Sequence, residues 1–162
     1  MHADADHPVP GFPFPEGVHG PGQRLHKSLR GEFFKGEAIG IAHTVQDVED
    51  RIRSARAAGK KIAFHAGETD PHDIDAAISL EPDLLVHCTH ATRTQLRECA
   101  ERQIPIAVCA RSNWRLGVTS GPEHPPLREM IQLGCRVLLG TDNAMFVSPD
   151  LFREMSFIST VY

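Results

Sequence analysis

KIAFHAGE (61–68) decides the fold class. It is a short apolar run, too short for a helix, that ends on a glycine and opens onto polar residues. Four similar runs lie elsewhere, so the set is Ile39–His43, Lys61–Gly67, Leu84–His90, Ile106–Ser112 and Arg136–Asp142. Each is rich in Ile, Val, Leu and Ala, the pattern of strands buried on both faces of a parallel sheet. Helical patterns follow them. Val45, Val48, Ile52 and Ala55 recur at helical spacing, with Thr44 as N-cap and Gly59 at C′. Thr92–Gln103 carries Leu96, Cys99 and Ala100, and Leu127, Met130 and Ile131 are closed by Gly134. Ser148–Tyr162 opens on a Ser-Pro-Asp cap and offers Leu151, Met155 and Ile158. The runs begin at residues 39, 61, 84, 106 and 136, a βα repeat that predicts a parallel sheet with helical crossovers. Two architectures contain such a repeat, an open doubly wound sheet and a (β/α)8 TIM barrel. A barrel takes eight units and about 250 residues. With about five units in 162 residues, length alone favours the open sheet.

Outward from that repeat the chain changes character. Residues 1–36 hold Pro8, Pro10, Pro13, Pro15 and Pro21 among six glycines, which predicts an irregular Pro/Gly-rich arm, with room for a short helix around Leu25–Phe34. Residues 37–162 form the regular domain. A net charge of −4 and a pI near 6.2 speak against nucleic acid or an anionic membrane surface as partner. No apolar run approaches the roughly 18 residues of a membrane span. The N-terminus lacks the basic and apolar regions of a signal peptide, which makes the cytoplasm the expected location. The 4 cysteines form no CxxC pair and read as reduced, buried, small hydrophobic groups. The unusual count is 10 histidines.

The polar residues gather where a parallel α/β fold keeps its chemistry, at the C-terminal ends of strands. His65-Ala66-Gly67-Glu68 follows the second run, His87 and His90 sit in the third, Arg111-Ser112-Asn113 follow the fourth, and Gly140-Thr141-Asp142-Asn143 close the fifth. Strand alternation puts His65 with Ala63, His87 with Leu85, and Asp142 with Leu138, so the three polar groups can face one space at one rim. Neutral imidazole and carboxylate suit a divalent metal, which activates water, and a further carboxylate can carry protons. Glu68, three residues beyond His65, has the reach for that task.

FHAGE (64–68), VHCTHAT (86–92), CARSN (109–113) and LGTDN (139–143), in this order, resemble the second half of an amidohydrolase-superfamily barrel, in its cytosine deaminase, chlorohydrolase and adenosine deaminase-like branch. The resemblance covers residues 37–162 and reverses the preference set by length. It implies a partial (β/α)8 TIM barrel of about five βα units, the C-terminal half. It further implies His65 as a metal ligand, Glu68 as the proton shuttle to a ring nitrogen, and His87 as the histidine that orients the attacking water. Asp142 would bind the metal and accept a proton, His90 would support the site, and Arg111, Asn113 and His90 would line the substrate pocket. The implied reaction is hydrolysis at an amidine-like carbon of a small heterocyclic amine, with ammonia or another group leaving. The implied cofactor is a divalent metal, zinc first, with iron and nickel the other ions such donors accept.

The family adds two ligands from a His-x-His pair on its first strand. Here the histidines stand at 2, 7, 19, 26, 43, 65, 72, 87, 90 and 124, and no two are separated by one residue. The first three family strands find no counterpart, Ile39–His43 resembling the fourth, so the chain reads as a fragment of a metal-dependent aminohydrolase. The alternative is a non-catalytic half-barrel that associates with another chain. An open half-barrel exposes sheet edges and an unfilled apolar interior, which favours a homo-oligomer or a complementing chain in either case. Plain structural roles are the expectation for His43, for solvated His72 and His124, and for Phe152 and Phe157 as core side chains. Trp114 either walls the pocket or simply packs.

Overall fold

The computed structural model describes residues 31–33 and 45–162, with side chains from Val48 onward. The expected strand Ile39–His43, the cap Thr44 and most of the arm lie outside the described residues. The other four expected strands form as β2 (Ile62–Ala66), β3 (Leu84–His87), β4 (Ile106–Val108) and β5 (Val137–Leu139). They pair in parallel and in sequence order, β2 with β3, β3 with β4, and β4 with β5. A doubly wound sheet reverses its strand order at a switch point. This sheet does not reverse, and right-handed crossovers on an unreversed sheet place every connecting helix on the same face. The result is an arc of a barrel. Within the expected arm, Gly31–Phe33 is a strand, β1, antiparallel to β2 and not the helix that the sequence suggested there.

Six helices accompany the sheet among the described residues: α1 (Val45–Ala57), α2 (Ile74–Ser79), α3 (Arg93–Glu101), α4 (Ala110–Arg115), α5 (Leu127–Gln132) and α6 (Leu151–Val161). α1 buries Val48, Ile52 and Ala55 and ends in a Schellman motif. There Gly59, at φ 69°, donates to the Arg56 carbonyl, and Lys60 donates to that of Ala55. Gly134 closes α5 in the same way, its N–H on Ile131 and that of Cys135 on Met130. α3 starts in a capping box, with Thr92 accepting from the Gln95 N–H and the Gln95 side chain accepting from the Thr92 N–H. α6 starts at Asp150, whose carboxylate accepts from Phe152 and Arg153.

The core lies between sheet and helices. Ile62, Phe64, Leu85, Ile106 and Val108 project from the sheet to meet Ile74, Ala77, Ile78, Leu96, Cys99 and Met130. The opposite, inner face is thinner. Ala63 is buried, Val86 and Ala107 are half-buried, and Leu138 on β5 is 46% exposed. Phe152, expected in the core, is 83% exposed. Phe157 is half-buried and packs edge-on against Trp114 at 5.8 Å.

Candidate metal and proton-transfer site

The site is built at the C-terminal ends of β2 and β3. His65 lies on the inner face of β2, and its register partner is Val86, not His87. Alternation therefore puts His87 on the helix side with Leu85, and the strand-face argument from sequence is corrected here. The backbone re-aims the side chain. His87 adopts φ 74° and Cys88 φ 47°, a left-handed conformation that ends the strand and swings the imidazole round. Its Nε2 then lies 3.0 Å from His65 Nδ1 and 3.9 Å from Glu68 Oε2. Gly67, at φ 65°, makes the turn that brings Glu68 back to the mouth. Its N–H donates to Asp73 at 2.7 Å, and the loops stay in register through Cys88 N–H to Ala66 and His90 N–H to Gly67.

His65, Glu68 and His87 thus bring one ligand atom each into a group no wider than 4.8 Å. Zinc bonded to nitrogen at about 2.0–2.1 Å in tetrahedral geometry spaces its ligands by about 3.4 Å, so the separations suit a cation of that size. His87 is buried, and burial is the main influence that lowers its imidazole below the ordinary 6.5. Glu68 opposes this, His65 adds to it, and Asp142 and Asn113 oppose it further. A neutral imidazole is the form that binds metal.

The other expected residues fall into two groups. Asp142 is exposed at φ 59° beyond β5 and stands outside the three-residue cluster; its carboxylate accepts from Ser112 Oγ at 2.7 Å. His90 is half-buried, with Nε2 3.3 Å from the Val118 carbonyl and its ring 4.6 Å from that of His124. His124, expected to be solvated, is half-buried and places Nδ1 3.1 Å from the Thr89 carbonyl. Arg111 and Asn113, expected as substrate contacts, turn inward. The fourth apolar run stops being a strand at Val108, and both residues ride on α4 instead. Arg111 pairs with Glu154 at 3.4 Å and reaches the Asp150 carbonyl. Asn113 is fully buried and donates from Nδ2 to Thr89 Oγ1.

Two residues that matter here, Thr89 and Glu154, were not singled out by sequence, and Ser112 was named there without a role. Thr89 holds Asn113, Ser112 holds Asp142, and Glu154 receives the Arg111 N–H at 3.3 Å. Glu154 is fully buried, and burial raises its carboxyl above the ordinary range against the pull of Arg111. Its signal was present as one acid four residues before Ile158, on a helix side that packs on the core. The cysteines match expectation. Cys88, Cys99 and Cys109 are buried and Cys135 half-buried, and burial pushes the Cys99 and Cys109 thiols up to about 12.

Similar proteins identify the family. A putative aminohydrolase of Archaeoglobus fulgidus is 37% identical over 127 residues, covering 75% of this chain and 37% of that protein. A putative adenosine/adenine deaminase of Streptomyces coelicolor is 35% identical over 113 residues, covering 67% of this chain and 33% of that protein. The chain therefore spans well under half the length of these curated relatives. The crystal structure of an adenine deaminase from Arthrobacter aurescens, a TIM barrel, superposes with a TM-score of 0.61 at 25% identity, over 76% of this chain and 40% of that one. The adenosine deaminase family model matches residues 34–161 and takes in every strand end just described, so the chain belongs to the adenosine deaminase family.

Proposed function

We propose that this chain carries the C-terminal part of the active site of a metal-dependent aminohydrolase acting on a small heterocyclic amine. The observation that carries the reading is the meeting of His65, Glu68 and His87 within 4.8 Å at the ends of adjacent strands. His65 and Asp142 would hold a divalent metal, zinc before iron, with the other ligands supplied by residues outside the described ones or by a complementing chain. Two imidazoles and two carboxylates are a donor set such ions accept. Bound there, the metal supplies Lewis acidity and lowers the pKa of water.

The chain's own residues do the rest. His87, neutral and buried, orients the attacking water through Nε2. Asp142, steadied by Ser112, takes a proton from that water. Glu68 is 36% exposed at the mouth and delivers a proton to the ring nitrogen of the substrate. Ammonia leaves. His90 supports the wall of the pocket. The cytoplasm is the proposed location; no helix of the described residues is long and apolar enough to cross a membrane.

The test is metal content per chain by elemental analysis, on protein purified without a metal-affinity tag. The expected result is one zinc equivalent in the wild type, lost in His65→Ala, with ammonia release from adenine-type substrates tracking the metal. No bound metal after zinc is supplied would overturn the reading. It would leave the second one, a non-catalytic half-barrel that works by association. That reading draws support from the partly exposed inner face at Leu138.

A further inference from the structure

We propose that Asn113 is a positioning residue for His87, its side-chain carbonyl accepting the Nδ1–H of that imidazole and leaving Nε2 as the lone-pair nitrogen toward His65 and Glu68. The inference gives His87 its working form in the proposed site and rests on that reading for its functional meaning.

Among the described residues only three buried side-chain polar atoms lack a hydrogen-bond partner: His87 Nδ1, Asn113 Oδ1 and Glu154 Oε1. Buried polar atoms are nearly always paired, so each orphan asks for an explanation. Two of the three belong to one buried corner, since Asn113 is bound to the hydroxyl of Thr89, two residues beyond His87. One is a nitrogen able to donate and the other an oxygen that can only accept. Every other polar atom on the two side chains is engaged. Asn113 Nδ2 donates to the Thr89 hydroxyl, which is itself fully buried, and His87 Nε2 faces His65 Nδ1 at 3.0 Å. The backbone holds Asn113 as well, its carbonyl accepting from Val118 at 2.9 Å while its N–H donates to Cys109 at 3.0 Å. The two orphans are thus a donor and an acceptor that can satisfy each other.

The opposite tautomer is disfavoured in this arrangement. With the proton on Nε2, the Nδ1 lone pair would face the Asn113 carbonyl, acceptor against acceptor. That tautomer fits only if the Asn113 amide is reversed, its Nδ2 donating to His87 and the Thr89 hydroxyl donating to its oxygen. The two arrangements make opposite statements about which nitrogen carries the proton. A hydrogen bond that fixes the tautomer and ring angle of a catalytic histidine is a known means of holding it ready.

The experiment reads that proton directly. The full chain, labelled with 15N-histidine and free of metal, is examined by long-range 1H–15N correlation, and the His87 signals are assigned by their loss in His87→Gln. The expected result is the Nδ1–H pattern at His87 in the wild type and its replacement by a tautomer mixture in Asn113→Ala. Thr89→Val keeps the shape of the residue and frees the Asn113 amide, so it serves the same purpose if Asn113→Ala does not fold. An Nε2–H pattern in the wild type, or His87 signals unmoved by Asn113→Ala, would overturn the proposal. A chain that binds no zinc yet loses the Nδ1–H pattern in the variant supports the positioning role while overturning the functional reading.

Discussion

At the scale of single residues, two backbone positions make the site. Gly67 turns the chain so that Glu68 comes back toward His65. A Cβ built there would meet Ile74 Cδ1, lie 2.9 Å from Ile74 Cγ1 and 3.2 Å from the Cys88 backbone. The left-handed φ adds its own cost to any side chain. Gly67→Ala should therefore lower stability by about 1–3 kcal/mol, read as a fall in the urea midpoint with an unchanged slope. Asp83 does a quieter task at the start of β3. Its carboxylate takes Lys61 Nζ at 2.7 Å and the Ile62 N–H at 2.8 Å. Burial alone would raise its pKa, but Lys61, the Ile62 N–H and Arg56 together hold it below the ordinary 3.8. A depressed folded-state pKa contributes stability above the unfolded value, and that contribution is lost as pH falls through the folded one. Asp83→Asn should thus be less stable than wild type at pH 7. The gap between their urea midpoints should close as pH drops below 3.8.

At the scale of elements, α3 shows how local sequence and packing share one residue. Gln95 completes the capping box through Oε1, while its Nε2 donates to the Pro71 carbonyl at 3.0 Å and to Asp75 at 3.1 Å. It joins α3 to α2 while it caps. Thr92→Ala removes one cap bond and should cost about 1 kcal/mol. Gln95→Ala removes the reciprocal bond and the cross-helix pair together and should cost more, both measured by urea denaturation. Capping also explains what was legible beforehand. α1, α3, α5 and α6 carry apolar periodicity together with a glycine stop or a capping side chain, and these signals are local. α2 and α4 have six residues each and open without a capping side-chain hydrogen bond, and they went unread; α5, equally short, was found from Leu127, Met130 and Ile131 with Gly134 as the stop. β1, three residues inside the expected arm, was not found, whereas β2 to β5 were, because each is a short apolar run. Their ends were overrun, as in Ile106–Ser112, because apolar composition continues from Val108 into α4 without a turn signal. The members of the cluster, His65, Glu68 and His87, were legible as candidates from FHAGE and VHCTHAT. Their geometry was not legible, because φ at His87 and the register of β2 against β3 are tertiary facts. The inward turn of Arg111 and Asn113 followed from the same missed helix.

At the scale of the whole molecule, the unreversed strand order leaves a sheet with helices on one side. The inner face grows more open from buried Ala63 on β2 to Leu138, 46% exposed, on β5. Met145, Phe146, Leu151 and Phe152 are exposed apolar side chains as well. Exposed apolar surface of this kind is stabilised by being covered. Sedimentation velocity over a range of concentrations should show association beyond the monomer. Leu138→Lys should shift the distribution toward monomer without unfolding the chain. A wild type that remains monomeric throughout would remove self-association as the way this face is covered.

The left-handed turns at His87 and Asp142 have a further consequence, for inheritance. Few residues accept that conformation readily, and asparagine is among them together with aspartate and histidine. A histidine or an aspartate codon becomes an asparagine codon through one base change. At both positions, therefore, a single mutation can erase the reacting group and leave the backbone content. Descendants of such a gene could lose their chemistry long before they lose their shape, and selection on folding alone would not notice.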